Sequence, residues 1–202
     1  MVSCSSLPHS TRGFTLVELM VVIAIMAILA VLAAPSFKEF IAKQQTRSAA
    51  YELAQTFQTA RSNAILNRRS VDVRASYPTT GNNWNGTKTA TLYSIDVTTA
   101  DQAKIANSSF YVFESGAGVS SSGTANNRVT KVSKLNDSVV VNSTPVLIRF
   151  TSDSSVQTST STTTAPTKTT ADVTFVVTYT GSSNAGYTVT LNHFGGTQVK
   201  RN

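Results

Sequence analysis

Cysteine is nearly absent: Cys4 is the single one in 202 residues. It falls within the first 13 residues, so the chain beyond them has no disulfide framework and no thiolate metal site. Histidine is almost as scarce, with His9 and His193 alone. A zinc site beyond residue 13 would have to be completed by Asp and Glu, and no spacing suggests one. No G-x-S-x-G elbow, phosphate-binding loop or G-x-G-x-x-G fingerprint occurs. His193, beside Phe194, reads as a turn or strand-end residue rather than a general base. The chain therefore reads as a non-enzyme with no cofactor and no metal. Acids are also few: 10 Asp and Glu stand against 17 Lys and Arg, giving +7. Residues 1–13 carry only Arg12, so the remainder keeps +6. Such an excess permits contact with nucleic acid or anionic surfaces, and equally keeps a domain soluble.

What is present is concentrated at the N-terminus. Residues 1–13, MVSCSSLPHSTRG, are short, polar and end in Arg12-Gly13. Phe14-Thr15-Leu16-Val17-Glu18 follows, then an uncharged run from Leu19 to Ala34, then Pro35. As a helix, residues 14–34 would extend about 31 Å, the thickness of a bilayer core. A secretory signal with a cleavage site at Ala33-Ala34 is the competing reading. Two features oppose it. Glu18 interrupts the front of the apolar run, and a helical pattern continues past Pro35. A carboxylate in a membrane helix costs roughly 2.5–3.5 kcal/mol at the centre and less near an end, so such a residue usually has a partner.

The string Gly13-Phe14-Thr15-Leu16-Val17-Glu18 resembles the processing signal of type IV pilins and secretion pseudopilins. The resemblance implies cleavage by a prepilin peptidase between Gly13 and Phe14, and N-methylation of Phe14. It implies that Glu18 pairs with the new amine of Phe14 on a neighbouring subunit during assembly. Without the resemblance, Glu18 could simply snorkel to the headgroups.

Pro35 should kink the helix without ending it. Beyond it, Ala49, Ala50, Leu53, Phe57, Ala60 and Ala64 recur at spacings of three and four, with Glu52, Gln55, Gln58 and Arg61 on other faces. One helix is expected from about Phe14 to Asn67, with Arg68 and Arg69 complementing its C-terminal dipole. The 50–68 segment is similar to the helix of GspH/FimT-type minor pilins and pseudopilins. Val71-Asp72-Val73, Trp84-Asn85-Gly86, Val189-Thr190-Leu191 and Gly195-Gly196 resemble further elements of that family.

Past Arg69, β-prone runs alternate with turn residues. Strands are expected at 71–75, 91–97, 109–113, 128–135, 138–141, 146–150, 173–179 and 187–192, with turns at Gly81–Asn83 and Gly181–Asn184. The stretch 151–170, with 14 Ser or Thr in 20 residues, reads as a mobile loop that buries little. The expected fold is α+β and pilin-like: a long N-terminal α-helix packed on an antiparallel β-sheet head. Its parts are a cleaved leader at 1–13, a transmembrane half-helix at 14–34, an amphipathic half at 35–69, and a head at 70–202.

The resemblance implies a minor pilin or pseudopilin, held in the bacterial inner membrane with a periplasmic head and then assembled into a pilus or pseudopilus. Its implied partners are other pilin or pseudopilin subunits, the peptidase, an inner-membrane assembly platform and membrane lipid. DNA is a further implied partner, because some FimT-like proteins bind it through a basic C-terminal tail. Here Gly196 is followed by Thr197, then Lys200 and Arg201, so the tail pattern is broken. Those two cations could equally keep the terminus solvated. An H-type pseudopilin of type II secretion is the third reading, since both machines use the same processing signal.

Overall fold

The computed structural model describes residues 14–76, 84, 99–119, 125–160 and 165–202. The leader 1–13 with Gly13, the expected 91–97 strand and the Gly81–Asn83 turn lie outside the described residues. The chain divides into two compact units after Lys38, described in turn. Helix α1, Leu16–Asn67, begins in the first and ends in the second.

In the first unit, the described side chains of α1 up to Leu32 are apolar on every face except at Glu18. Every described side chain from Leu16 to Leu32 is exposed, including Leu19, Met20, Ile23, Ile25 and Ile28. No single described helix is long and apolar enough to cross a membrane; Leu16–Leu32 and Ser36–Asn67 pass that test only together.

In the second unit, the remainder of α1 becomes two-sided. Ala50, Leu53, Phe57, Ala60 and Ala64 are fully buried, at the three- and four-residue spacings that place them on one face. The helix stops where Arg68 adopts a left-handed φ of 50° and the Arg69 N–H donates to the Ala64 carbonyl at 3.1 Å, a C-terminal closure. Strands and a short helix follow: β1 (Val71–Ala75), α2 (Thr99–Ile105), β2 (Phe110–Val119), β3 (Ala125–Ser133), β4 (Val139–Asn142) and β5 (Leu147–Phe150). Then come β6 (Val156–Ser159), β7 (Thr167–Lys168), β8 (Val173–Tyr179), β9 (Ser182–Leu191) and β10 (Thr197–Arg201).

They form two antiparallel sheets, ordered β3-β2-β1-β5-β6-β7 and β10-β9-β8-β4. Alternation along each strand decides what it covers. In β1, Val71, Val73 and Ala75 join the helix residues in the main core, while Asp72 and Arg74 point to the other face. On β2, Phe110 and Val112 enter that core, whereas Tyr111 and Phe113 build a smaller one with Ile105 of α2. Because both faces of this sheet are covered, β1 reads as nearly continuously buried rather than alternating.

The main core is aromatic at its centre. The Phe57 ring sits 4.9 Å from Phe175, 6.2 Å from Phe150 and 6.4 Å from Trp84, with Trp84 edge-on to both Phe57 and Phe175. Trp84 is completely buried, and its indole N–H donates to the Pro145 carbonyl at 2.7 Å. That bond removes the desolvation cost of a buried donor. The Trp84 backbone N–H donates to Val141 of β4, so the residue also closes the outer edge of the second sheet there.

The long helix, β1 and β8 follow the sequence expectation, and so does the antiparallel α+β head. Three expectations need correction. The 151–170 stretch is not all loop, because β6 and β7 lie in it and Val156 is fully buried. Ser and Thr pair through their backbone as well as any residue, so one apolar side chain sufficed. The Gly181–Asn184 turn contracts to Thr180-Gly181, with Gly181 at φ 85°, and β9 starts at Ser182. Finally, α2 was not foreseen: seven residues are too few for a periodic signal.

Candidate functional site

The N-terminal segment presents Phe14, largely exposed, just before α1. Thr15 caps the helix: its hydroxyl accepts the Glu18 backbone N–H at 3.2 Å, and its carbonyl accepts Leu19 N–H at 3.2 Å. Thr15 and Glu18 thus stand at the spacing of a capping box, with the acid in the first turn where the helix dipole favours negative charge. The sequence reading passed over Thr15, although the T-x-x-E string carries the signal. Glu18 is exposed, as are the apolar side chains that follow it. A helix apolar on every side needs apolar surroundings all round. Gly13, the other half of the expected cleavage site, lies outside the described residues.

The C-terminal segment is built differently from a loose basic tail. Asn192 and Gly196 pin a tight turn: Asn192 N–H donates to the Gly196 carbonyl at 2.9 Å, and Asn192 Oδ1 accepts Gly196 N–H at 2.7 Å. Gly195 sits at φ 80°, and a β-carbon there would stand 2.8 Å from Arg61 Cδ. Gly195 is therefore required by its backbone conformation and by its close approach to Arg61. Lys200 and Arg201 follow within β10, opposite Thr188 and Tyr187 of β9. Both are exposed, but neighbouring strand residues point to opposite faces, so the two cations diverge. Asn202 is tied down as well, its N–H donating to the Gly186 carbonyl at 3.1 Å and its Oδ1 accepting the Thr188 hydroxyl at 2.6 Å.

His193 stacks on Phe194 with ring centroids 3.9 Å apart, and its Nδ1 lies 3.8 Å from Asp172 Oδ1, beyond hydrogen-bond reach. Among the described residues, a charge cluster forms around Asp72, buried on the outer face of the first sheet. Arg149 donates to it twice, at 2.7 and 3.0 Å, and Arg74 adds a second cation. Arg74 also lies 4.5 Å over the Phe113 ring. All three groups are satisfied by one another, which makes the cluster a structural clasp.

Residues 8–34 match the family model described as the prokaryotic N-terminal methylation motif. The N-terminus is similar to that of type IV pilins. The chain is 44% identical to the type IV major alpha-pilin of Moraxella bovis over 46 residues, 23% of this chain and 29% of that protein. It is 48% identical to the fimbrial protein EcpB of Eikenella corrodens over 48 residues, 24% of this chain and 30% of that one. The chain thus spans about 30% of the length of these relatives. Among solved structures, it is similar to the type IV minor pilin FimU of Pseudomonas aeruginosa, with TM-score 0.43, 17% identity, and coverage of 80% of this chain and 92% of that one.

Proposed function

We propose that the chain is a minor pilin or pseudopilin, a non-enzymatic subunit that enters a pilus or pseudopilus through α1. The observation that carries the reading is the capped N-terminal helix, apolar and exposed on every face, within a matched methylation motif. Prepilin peptidase cleaves between Gly13 and Phe14, and Phe14 is N-methylated. Residues 14–34 sit in the inner membrane, the head lies in the periplasm, and the assembly platform then passes the subunit into the filament. There the apolar helix packs among those of other subunits, and Glu18 meets the amine of a neighbouring Phe14. The charge pair explains why an acid is kept on a surface that is otherwise bare hydrocarbon. The GspH/FimT-type helix string supports minor-subunit status; it serves pilus and secretion machines alike.

For DNA capture the geometry is unfavourable. Lys200 and Arg201 diverge on a strand, leaving at most one cation of that pair on any one face. Intact-mass spectrometry of the membrane-extracted protein tests the main reading. A chain starting at methylated Phe14 is expected; one starting near Pro35 would mean ordinary signal cleavage, and the assembly role of Glu18 would be lost.

A further inference from the structure

The second sheet ends at β10, and the pattern of its ladder leaves that edge open. Asn192 N–H donates to the Gly196 carbonyl and Asn202 N–H to that of Gly186, so even-numbered residues of β10 bond to β9. By alternation, the N–H and C=O groups of Thr197, Val199 and Arg201 point away from it. Among the described residues, no strand pairs with that edge. Beside it runs a groove of about 430 Å³, lined by Tyr51, Ala54, Gln55 and Gln58 of α1 and by Thr197 and Val199. Gln58 Nε2 donates to Thr197 Oγ1 at 2.8 Å and sets the alignment of helix and strand.

The charges around the groove have one sign. Arg47 lies one turn before Tyr51, with its guanidinium 5.6 Å from the Tyr51 ring. From the Gln58–Thr197 contact, the eleven residues back to Arg47 span about 16 Å of helix, and the four on to Arg201 about 14 Å of strand. Gly195 abuts Arg61 while Thr197 meets Gln58, so β10 runs opposite to α1 and both arginines mark the same end. Arg61 is one turn beyond Gln58, and its buried Nε has no hydrogen-bond partner among the described residues. Among the described residues, no carboxylate side chain lines the groove. Glu52 points to the other flank of α1, where Lys131 of β3 reaches Thr56.

We infer that β10 and this groove receive an extended acidic segment of a partner protein, added as a further strand to the second sheet. Main-chain bonds to Thr197, Val199 and Arg201 supply the attachment, alternate side chains lie over Tyr51 and Ala54, and carboxylates meet Arg47 and Arg201. The test uses the full chain in detergent micelles and a fluorescein-labelled peptide, Asp-Thr-Glu-Thr-Val-Thr-Val-Thr, whose acids and valines share one face of the strand, read by anisotropy. A peptide with the acids changed to Lys and a duplex DNA oligonucleotide serve as competing probes. The acidic peptide is expected to bind, and the amides of Thr197, Val199 and Arg201 are expected to gain protection from hydrogen exchange. Arg47→Glu with Arg201→Glu should weaken it at least ~10-fold, a loss of about 1.4 kcal/mol. Lys168→Glu, outside the groove, should leave it unchanged. Val199→Pro, which removes an outward-pointing N–H, should abolish it. Equal binding of the lysine peptide, binding of DNA but not the acidic peptide, unchanged affinity in the arginine variant, or no gain of amide protection would overturn the inference.

Discussion

Removing the Asp72 carboxylate should be one of the most damaging single changes in the head, and the damage should be largely reversible by a second substitution. Asp72 is 1% exposed and takes two hydrogen bonds from Arg149. The Arg149 pKa is raised above its ordinary value by the hydrogen bond to Asp72, against the opposing effect of burial. A pKa raised in the fold means stability that is present below the ordinary value and lost only as pH climbs through the raised one. Arg149 therefore contributes fully across the neutral range. Breaking a buried pair from one side costs about 3–5 kcal/mol, because the other charge is left desolvated. Arg74 and Arg149 retain 13% and 26% exposure and can turn toward water, which points to the lower end, about 3 kcal/mol. At about 2–4 °C per kcal/mol for a domain of this size, Asp72→Leu should lower Tm by roughly 6–12 °C. Arg149→Met added to Asp72→Leu removes the stranded cation, and the double variant should regain at least half of the loss. Arg74 keeps its place over Phe113 in that variant. Thermal unfolding of the full chain in detergent, followed by circular dichroism, gives all three values. Refutation would come from an unchanged Tm in the single variant, or from a double variant less stable than the single.

Glu18→Ala should leave cleavage and methylation intact while sharply reducing incorporation into filaments, compared by mass spectrometry of the membrane fraction and immunoblots of sheared filaments. Phe57→Ala, at the centre of four packed rings, should cost about 3–5 kcal/mol in chemical denaturation. Gly195→Ala should cost about 1–3 kcal/mol, since it strains a φ of 80° and drives a β-carbon into Arg61. The Asp153 pKa is lowered from 3.8 to about 2, first by the Thr151 hydroxyl and then by the Ser155 N–H. A depressed acid stabilises above its ordinary value and loses that effect as pH falls through the depressed one. The 151–155 turn should therefore loosen between about pH 4 and pH 2, seen as faster amide exchange at Ser154 and Ser155, with no change above pH 5.

The linear pattern alone determined the N-terminal third of this protein. An uncharged run, one acid and a methylation signal depend only on spacing along the chain, and a helix satisfies its hydrogen bonds within itself. The three-and-four spacing from Ala49 to Ala64 marked the buried face for the same reason. Strands β1 and β8 were legible because their Val-rich runs are bounded by turn residues. What tertiary structure alone decided depends on partners far apart in sequence. Backbone pairing with β5 recruited β6 from a Ser- and Thr-rich stretch that composition assigned to a loop. Pairing with β9 turned a basic tail into β10, and strand alternation then separated Lys200 from Arg201. The Asp72 clasp and the groove beside Tyr51 likewise arise from residues brought together across 77 and 139 positions, which no local period encodes.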